Sequence, residues 1–414
     1  MDILKKLNQE YTIIEDLGQP GQHAHIFKLL NNKNIPFILK RQFLTLQMFQ
    51  KDYREIIALK LVDELMKQTN SPHFVQLHSY FASPLFHPPS PIRHPRIHPL
   101  DRAKPVLAIY MLQEHCQSTV EDWLKNIIDQ KQWLPNRFVF SLLVQMISAI
   151  LSLQIYGNMY HNDVHFGNIF RQDVSPNICF VYKCRGNMGW SSDSFGTAIK
   201  IGDFGLVQEA HQQQQQFFNN KKKFKKTNMM KQLASDEIHH LRHYSNIHNQ
   251  QRDIMSLLLN WLYYAPSLKG GLTHEMTRYI KILLIKFMQL TTITTTVTKK
   301  RNFQISTLKK DLTIEDLMQF FNKEFHDFPY LKQICKKNEV SYKNWRPYLL
   351  ISSSSSIARP HIISLFTDND HIVQSKLIQQ KIQEESEMLS LYQSLSTQSP
   401  IYVQNCNLNQ PFLL

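Results

Sequence analysis

The sequence predicts an α+β protein in which a small β-rich part precedes a larger α-rich part. Three runs separated by turn residues, Tyr11–Glu15, His25–Leu30 and Pro36–Lys40, have the residue types of strands. Residues 46–67 then place apolar side chains at helical spacing, which indicates a helix. From Val120 onward helical patterns dominate. The two parts of the chain therefore differ in their predicted secondary structure.

Two more strand-like runs, Phe74–Phe81 and Val106–Leu112, belong to the β-rich part. The segment between them, residues 82–105, holds seven prolines. Because proline lacks the backbone donor that helices and strands use, we expect a loop here. Three histidines in this loop could suggest a metal site. Prolines between them prevent a helical arrangement of ligands and no cysteine is nearby, so we expect no metal there.

One stretch, Phe138–Tyr160, carries no charge over 23 residues and is long enough to cross a membrane. Gln145, Gln154 and three serines interrupt its apolar character. We therefore expect a buried helix in the core of the protein and no membrane span. The N-terminal residues also lack the long apolar core of a signal peptide.

The composition excludes several classes of protein. With 43% hydrophobic residues and only 11 glycines in 414, the chain is neither collagen-like nor wholly disordered. Its net charge of +14 favours a polyanionic partner or reflects solvated lysines spread over the surface. Binding of nucleic acid is possible, but no motif supports it. The five cysteines form no CxxC pair, which predicts an intracellular, cytoplasmic or nuclear protein, and nothing indicates an oligomeric state.

Two motifs carry the predicted chemistry. The first, residues 160–170, contains Asp163 and Asn168, and the second, residues 200–205, contains Asp203. These motifs resemble the catalytic and metal-binding loops of protein kinases, and the resemblance implies phosphoryl transfer. That reaction needs one carboxylate to orient the attacking hydroxyl and accept its proton, a role that the resemblance gives to Asp163. It also needs oxygen ligands for a Mg²⁺ ion that bridges nucleotide phosphates, and the resemblance implies that Asn168 and Asp203 hold that ion.

The two motifs, His-x-Asp-x-x-x-x-Asn and then a hydrophobic residue before Gly-Asp-Phe-Gly, resemble the catalytic and metal-binding loops of protein kinases. The resemblance implies a bilobal protein-kinase-like fold, with a small β-rich N-lobe and a larger α-helical C-lobe, that binds ATP and Mg²⁺. The implied organisation is an N-terminal extension (1–10), an N-lobe (11–113) with the insertion 82–105, a C-lobe (114–370) with insertions near 171–199 and 210–250, and a C-terminal helix with a polar tail (371–414).

The resemblance also implies how the first part binds the phosphates. Lys40 ends the strand-like run Phe37–Lys40 and matches the strand lysine that contacts the α- and β-phosphates. Glu55 matches the helix glutamate that pairs with this lysine, and Glu64 is its alternative deeper in the helix. Asp253 resembles the buried aspartate that braces the catalytic loop.

Residues 18–26 resemble the phosphate-covering glycine loop of kinases, although Gly18 is displaced by one position and Ala24 replaces the last glycine. The segment Glu114–Cys116 resembles the hinge whose backbone meets adenine. The residues implied to bind the nucleotide are Gly18, Gly21, Ile26, Lys40, Glu55, Glu114 and Cys116.

The chain also departs from the common kinase pattern. Asn162 stands where most regulated kinases have an arginine that receives an activation-loop phosphate, so we do not expect activation by loop phosphorylation. His165 replaces a lysine typical of Ser/Thr kinases. No Ala-Pro-Glu motif lies between Gly205 and Asp253, and this leaves the substrate class open. The sequence of the catalytic loop is similar to that of haspin-type kinases, of kinases of large DNA viruses, and of aminoglycoside- and choline-kinase-like phosphotransferases.

The function expected from the resemblance is that of an ATP-dependent protein kinase that phosphorylates a protein hydroxyl, Ser or Thr more than Tyr. Two alternatives stay open. A pseudokinase that binds nucleotide or partners without catalysis would fit the eroded glycine loop. A small-molecule phosphotransferase would fit the sequence of the catalytic loop, although Asp253 and the Asp-Phe-Gly sequence oppose it.

Overall fold

The fold is seen in a computed structural model, which describes most of the β-rich part and the central helices. The described residues are 10–18, 24–44, 46–84, 107–130, 134–184, 189–209, 249–264, 274–291, 295–297, 303–305, 314–326, 359–365, 379–380, 383–384, 386–387 and 390. Within them the chain is a mixed α+β protein with a β-sheet-rich N-terminal region and helices later, which confirms the predicted class. The three histidines of the proline-rich loop and nearly all of segment 210–250 lie outside the described residues.

The N-terminal region is a five-stranded antiparallel sheet in the order β1-β2-β3-β5-β4. Its strands are β1 (Tyr11–Gly18), β2 (Ala24–Asn31), β3 (Pro36–Leu44), β4 (Leu77–Pro84) and β5 (Leu107–Glu114). Asparagines close the turn between β2 and β3. The Asn31 side chain accepts the backbone N–H groups of Lys33 and Ile35, and Asn34 has a φ of 60°, a conformation that asparagine tolerates well.

Helix α1 (Leu46–Thr69) connects β3 to β4 and packs one face into the core. Ile56, Leu59, Val62 and Leu65 are fully buried on this face. Each such side chain stabilises the fold by about 1.5–3 kcal/mol relative to an exposed position. The part of α1 after residue 54 is therefore packed against the rest of the protein. This packing also fixes the position of Glu55.

Five further helices are described: α2 (Val120–Asp129), α3 (Asn136–Tyr156), α4 (Asn249–Tyr264), α5 (His274–Thr291) and α6 (Ile314–His326). Among the described residues, α3 is the one helix long and apolar enough to cross a membrane, and 94% of its most apolar window is buried inside the protein. This agrees with the predicted core helix. Gln145 is tolerated there because its side chain accepts the N–H of Ile199 and donates to the carbonyl of Thr197.

Short strands connect these helices: β6 (Ser118–Thr119), β7 (Met159–Tyr160), β8 (Ile169–Asp173), β9 (Ile178–Lys183), β10 (Gly189–Asp193), β11 (Thr197–Ile201), β12 (Gln208–Glu209), β13 (Thr295–Val297), β14 (Phe303–Ile305) and β15 (Arg359–Ser364). Strands β8 and β11 pair with each other, and the β9–β10 hairpin is inserted between them. Residues 171–199, where the resemblance implies an insertion, therefore contain an antiparallel hairpin.

Strand β15 comes from far along the chain and adds to the inserted hairpin as a third strand, parallel to β9. The hairpin also contacts the residues that follow α1. His73 is buried between the carbonyl of Ile199, 3.0 Å from Nδ1, and the hydroxyl of Tyr182, 2.8 Å from Nε2. Burial lowers the pKa of His73 to about 3, so its ring stays neutral and serves as a structural link.

Candidate active site

The structure brings together two loops that lie 35 residues apart in sequence. Ile169 at the start of β8 pairs with Ile201 at the end of β11. The preceding residue Asn168 therefore lies beside Gly202, whose N–H donates to the Asn168 carbonyl over 3.0 Å. A β-carbon at Gly202 would come within 3 Å of the side chains of Phe170 and Val75, so only glycine fits without displacement of its neighbours. The first loop spans residues 161–168 and the second begins at Asp203.

His161 joins the same two loops from the side. Its Nε2 donates to the carbonyl of Gly202 over 3.0 Å, and its ring lies 5.2 Å from the ring of Phe204. Both side chains are buried. His161 thus has a bracing position, and its buried ring does not face solvent.

The backbone of the first loop is held by Asp253 of α4. One oxygen of this fully buried carboxylate accepts the N–H of His161 and the other accepts the N–H of Asn162, both over 2.8 Å. Burial raises the pKa of Asp253, and the two N–H donors oppose that effect. Ser256, one turn later, donates to the carbonyl of Val164 over 2.6 Å. The loop that carries Asp163 is therefore anchored at three backbone positions by one helix.

Asp163 lies at the tip of this loop with its side chain 28% exposed. The side-chain amide of Asn168 donates to the Asp163 carbonyl over 3.0 Å and to its carboxylate oxygen Oδ2 over 3.1 Å. His165 Nε2 is 3.6 Å from the same oxygen, while its Nδ1 accepts the N–H of Gly167. The carboxylate is therefore oriented by its neighbours and still accessible to a substrate.

A chain of charges links β3, α1 and the second loop. Lys40 Nζ lies 2.6 Å from Glu55 Oε1 and 3.1 Å from Asp203 Oδ1. Burial acts to lower the pKa of Lys40, but the two carboxylates outweigh it and raise that pKa, so the lysine is firmly protonated. The charge of Lys40 in turn lowers the pKa of Asp203. Glu64, the alternative partner considered for Lys40, instead accepts a hydrogen bond from Gln68 on its own helix.

Gln42, which sequence reasoning missed, belongs to this cluster. Its Nε2 donates to Glu55 Oε2 over 2.9 Å, so both oxygens of the Glu55 carboxylate are used. The signal available in the sequence was a polar residue two positions after Lys40, on the same face of the strand. Glu55 and Gln42 are both buried.

Of the three residues predicted for a phosphate-covering loop, two lie among the described residues. Gly18 ends β1 with a φ of 75°, and its N–H donates to Asp16. Ile26 on β2 pairs directly with Lys40 on β3, which sets the two residues side by side in the sheet. Gly21 lies outside the described residues.

The segment predicted as a hinge begins at the last residue of β5. Glu114 Oε1 accepts the N–H of Gln76 over 2.7 Å and lies 2.8 Å from Lys200 Nζ. The sequence analysis did not predict the contact between Lys200 and Glu114. The one available signal was that Lys200 lies two residues before Gly202, at the start of the second motif. Cys116 is a free, partly buried cysteine, and burial raises the pKa of its thiol to about 12, so it is protonated at neutral pH.

Asn162, which stands in the position of the usual arginine, has a role of its own in the structure. Its φ of 62° lies in the left-handed region that asparagine tolerates. The side-chain amide donates to the carbonyls of Tyr160 and Leu206, each over 3.3 Å. It therefore connects the first loop directly to the residue after Gly205.

Asn168 and Asp203 suit a Mg²⁺ ion whose other ligands are phosphate oxygens and water. Among the described residues no group of three or more His, Cys, Asp or Glu side chains is arranged to hold a metal ion. Asn168 and Asp203 are two oxygen donors from adjacent loops, and the Asn168 amide nitrogen already serves Asp163, which leaves its oxygen for a cation. Mg²⁺ in phosphoryl-transfer sites commonly has one or two protein carboxylates, phosphate oxygens and water as ligands.

Comparison with known proteins adds no family to these observations. No protein-family model matches the chain, and a search of curated proteins finds no match.

Proposed function

We propose that the chain is an ATP-dependent protein kinase with a bilobal protein-kinase-like fold, which transfers the γ-phosphoryl group of ATP to a protein hydroxyl, Ser or Thr more than Tyr. One observation carries the proposal. The cluster of Lys40, Glu55 and Asp203 is bonded through the backbone of Gly202 to the loop of Asp163. A cation suited to phosphates, a carboxylate suited to a metal ion and an accessible carboxylate are thereby held together, and in-line phosphoryl transfer needs these three.

On the nucleotide side, Lys40 would contact the α- and β-phosphates. Its protonation is secured by Glu55, which also fixes its position, because the two atoms lie 2.6 Å apart in a buried environment. Ile26, beside Lys40 in the sheet, would contact the adenine or ribose from above. Gly18 and Gly21 would cover the phosphates with backbone, and the backbone at Glu114 and Cys116 would meet the adenine edge.

Asn168 and Asp203 would hold Mg²⁺ through an amide oxygen and a carboxylate. When bound, the ion neutralises charge on the phosphates during transfer. Asp203 has a left-handed φ of 59°, and its Oδ1 lies 3.1 Å from Lys40 Nζ. The same residue therefore serves both the lysine and the metal-binding face of the site.

On the acceptor side, Asp163 would orient the substrate hydroxyl and accept its proton. Its carboxylate is partly exposed, and Asn168 fixes its orientation. A general base placed in this way contributes about 10²–10⁴-fold to a rate. Asp253 supports the reaction indirectly, because it anchors the backbone on which Asp163 stands.

The test is transfer of labelled phosphate from [γ-³²P]ATP by the full chain, beside Asp163→Asn, across three acceptor groups: Ser/Thr peptides and proteins, Tyr peptides, and amino alcohols and aminoglycosides. We expect Mg²⁺-dependent labelling of Ser or Thr that Asp163→Asn abolishes. Label on amino alcohols alone would replace the proposal with a small-molecule phosphotransferase. A Mg-ATP thermal shift without label on any acceptor would replace it with a pseudokinase, which Ala24 in the glycine loop favours.

A further inference from the structure

We infer that Gln42 is a positioning residue of the proposed reaction, which holds the Glu55 carboxylate in the orientation that lets Glu55 hold Lys40. The inference rests on the proposed function and deepens it. The three side chains form one hydrogen-bonded group in the interior. Gln42 binds one oxygen of the Glu55 carboxylate at 2.9 Å, and Lys40 binds the other at 2.6 Å.

The pleat of β3 places both donors on the same side. Residues two apart on a strand project to one face, so Lys40 and Gln42 both face α1. Arg41 between them projects to the opposite face, where its guanidinium lies 5.0 Å and 4.9 Å from the ring centres of Phe27 and Phe43. A single strand therefore supplies two donors, and helix α1 supplies the carboxylate that receives both.

The second hydrogen bond changes what Glu55 does for Lys40. A carboxylate held by one donor can rotate about its terminal bond, because that torsion has a broad energy well. With Gln42 on Oε2, the carboxylate plane is fixed, and Oε1 stays aimed at Lys40. The Glu55 side chain is only 2% exposed, so water cannot readily replace the amide, and loss of Gln42 would leave a buried charged oxygen short of a partner.

Gln42 has a buried polar atom that lowers stability, and packing alone does not explain why a glutamine lies here. Its Oε1 is buried and has no hydrogen-bond partner among the residues that the structure describes. A leucine or methionine would fill the same space without an unsatisfied acceptor. The reverse orientation of the amide would point its oxygen at the carboxylate, so the donor role is the one the geometry allows. The donor to Glu55 is thus what the glutamine provides.

The oxygen that Gln42 holds also faces the second loop. Glu55 Oε2 lies 3.7 Å from the position that a β-carbon on Gly205 would take, and Asp203 Oδ1 lies at a similar distance. Gln42 therefore holds Glu55 near Asp203, one of the two residues that would bind Mg²⁺. Its expected effect is on the site for ATP, more than on the carboxylate that receives the hydroxyl proton.

The test compares Gln42→Met, which keeps the volume and removes the donor, with Gln68→Met. The control loses a partly buried bond between the same residue types on the helix that carries Glu55, 2.6 Å from Gln68 Nε2 to Glu64 Oε1, away from Lys40. For Gln42→Met we expect KM for ATP to rise about 10-fold with a smaller change in kcat, a loss of ~1.4 kcal/mol in kcat/KM. For Gln68→Met we expect less than about 2-fold in either constant.

A double variant separates positioning from packing. If Gln42 acts through Glu55, Gln42→Met added to Glu55→Gln should change KM for ATP by less than about 2-fold, because the charged partner is already gone. An equal rise in KM in both backgrounds would overturn the inference, and so would an unchanged KM in Gln42→Met. If Gln42→Met does not fold, Gln42→Asn, whose shorter side chain cannot reach Glu55, decides in its place.

Hydrogen exchange of the nucleotide-free protein gives an answer that does not depend on activity. In Gln42→Met we expect faster exchange over residues 54–60 of α1 and unchanged exchange over α4, while Gln68→Met leaves residues 54–60 as in the wild type. Unchanged exchange over residues 54–60 in Gln42→Met would count against the inference. Absence of phosphate transfer by the wild type would refute the proposed function alone, and the exchange result would still decide the role of Gln42.

Discussion

Replacement of Asp253 by asparagine perturbs the loop that carries Asp163 without changing any residue of that loop. In the wild type each carboxylate oxygen accepts one backbone N–H, from His161 and from Asn162, both over 2.8 Å. Asparagine has nearly the same shape but only one acceptor oxygen. Its amide nitrogen would face the second N–H, so two donors would meet in a fully buried space.

The expected cost follows from these two bonds. Hydrogen bonds to a charged group contribute about 1.5–3 kcal/mol each, and a buried donor without a partner costs about 1–3 kcal/mol. The buried charge itself is unfavourable, as the raised pKa of Asp253 indicates, so its removal returns part of the loss. We expect a net decrease of about 2–4 kcal/mol in the free energy of unfolding. For 414 residues, with an unfolding entropy of about 2.1 cal/mol/K per residue, that corresponds to roughly 2–5 °C in Tm.

Thermal unfolding followed by tryptophan fluorescence measures this decrease, and Asp129→Asn on the exposed end of α2 is the matched control. We expect the control to stay within about 1 °C of the wild type, since surface substitutions change stability by less than ~0.5 kcal/mol. Phosphate transfer should fall in Asp253→Asn, because the backbone under Asp163 loses an anchor. A Tm equal to that of the control would refute the reasoning that this carboxylate holds the loop.

Two further substitutions test other parts of the structure. Burial raises the pKa of Asp63 from 3.8 to about 7, so the folded protein binds more protons than the unfolded one between about pH 4 and pH 7, and stability should fall as the pH rises through that window. The pKa shift corresponds to at most ~4 kcal/mol, and since Asp63 keeps some exposure we expect stability to change by about 1–2 kcal/mol over this window. Asp63→Asn should remove this pH dependence from denaturation curves recorded at several pH values. An unchanged pH dependence in the variant would contradict the assignment. Lys60 Nζ lies 2.6 Å from both oxygens of the buried Glu384, so Glu384→Ala should lower the unfolding free energy by about 1–3 kcal/mol through loss of a partner for Lys60. An unchanged Tm in Glu384→Ala would mean that the C-terminal segment does not pack on α1 in solution.

Much of the candidate site was predictable because its chemistry sits in short, contiguous motifs. Asp163 and Asn168 are five residues apart in one motif, and the structure places both on the same loop. The choice of Glu55 over Glu64 also followed from local sequence, because Glu55 opens the run Glu55–Leu59 that resembles the kinase pattern, and the structure pairs Glu55 with Lys40. Local pattern was sufficient in each of these cases.

The residues that were missed depend on contacts between distant segments. Gln42 and Lys200 are ordinary polar residues in strand-like sequence, and their partners Glu55 and Glu114 are set by the packing of α1 and the ends of β4 and β5. The addition of β15 to β9, more than 170 residues apart, likewise has no local signal. Strand periodicity predicts which face a side chain takes, but not which element will cover that face.

The most direct test of the central claim compares binding with transfer in wild type and Asp163→Asn. Both proteins should bind Mg-ATP with dissociation constants within about 3-fold of each other, because Lys40, Asn168 and Asp203 are unchanged, while the rate of transfer to a Ser/Thr acceptor should fall at least about 100-fold in the variant. Equal transfer rates in the two proteins would contradict the account, because the carboxylate held by Asn168 would then not be the group that receives the proton.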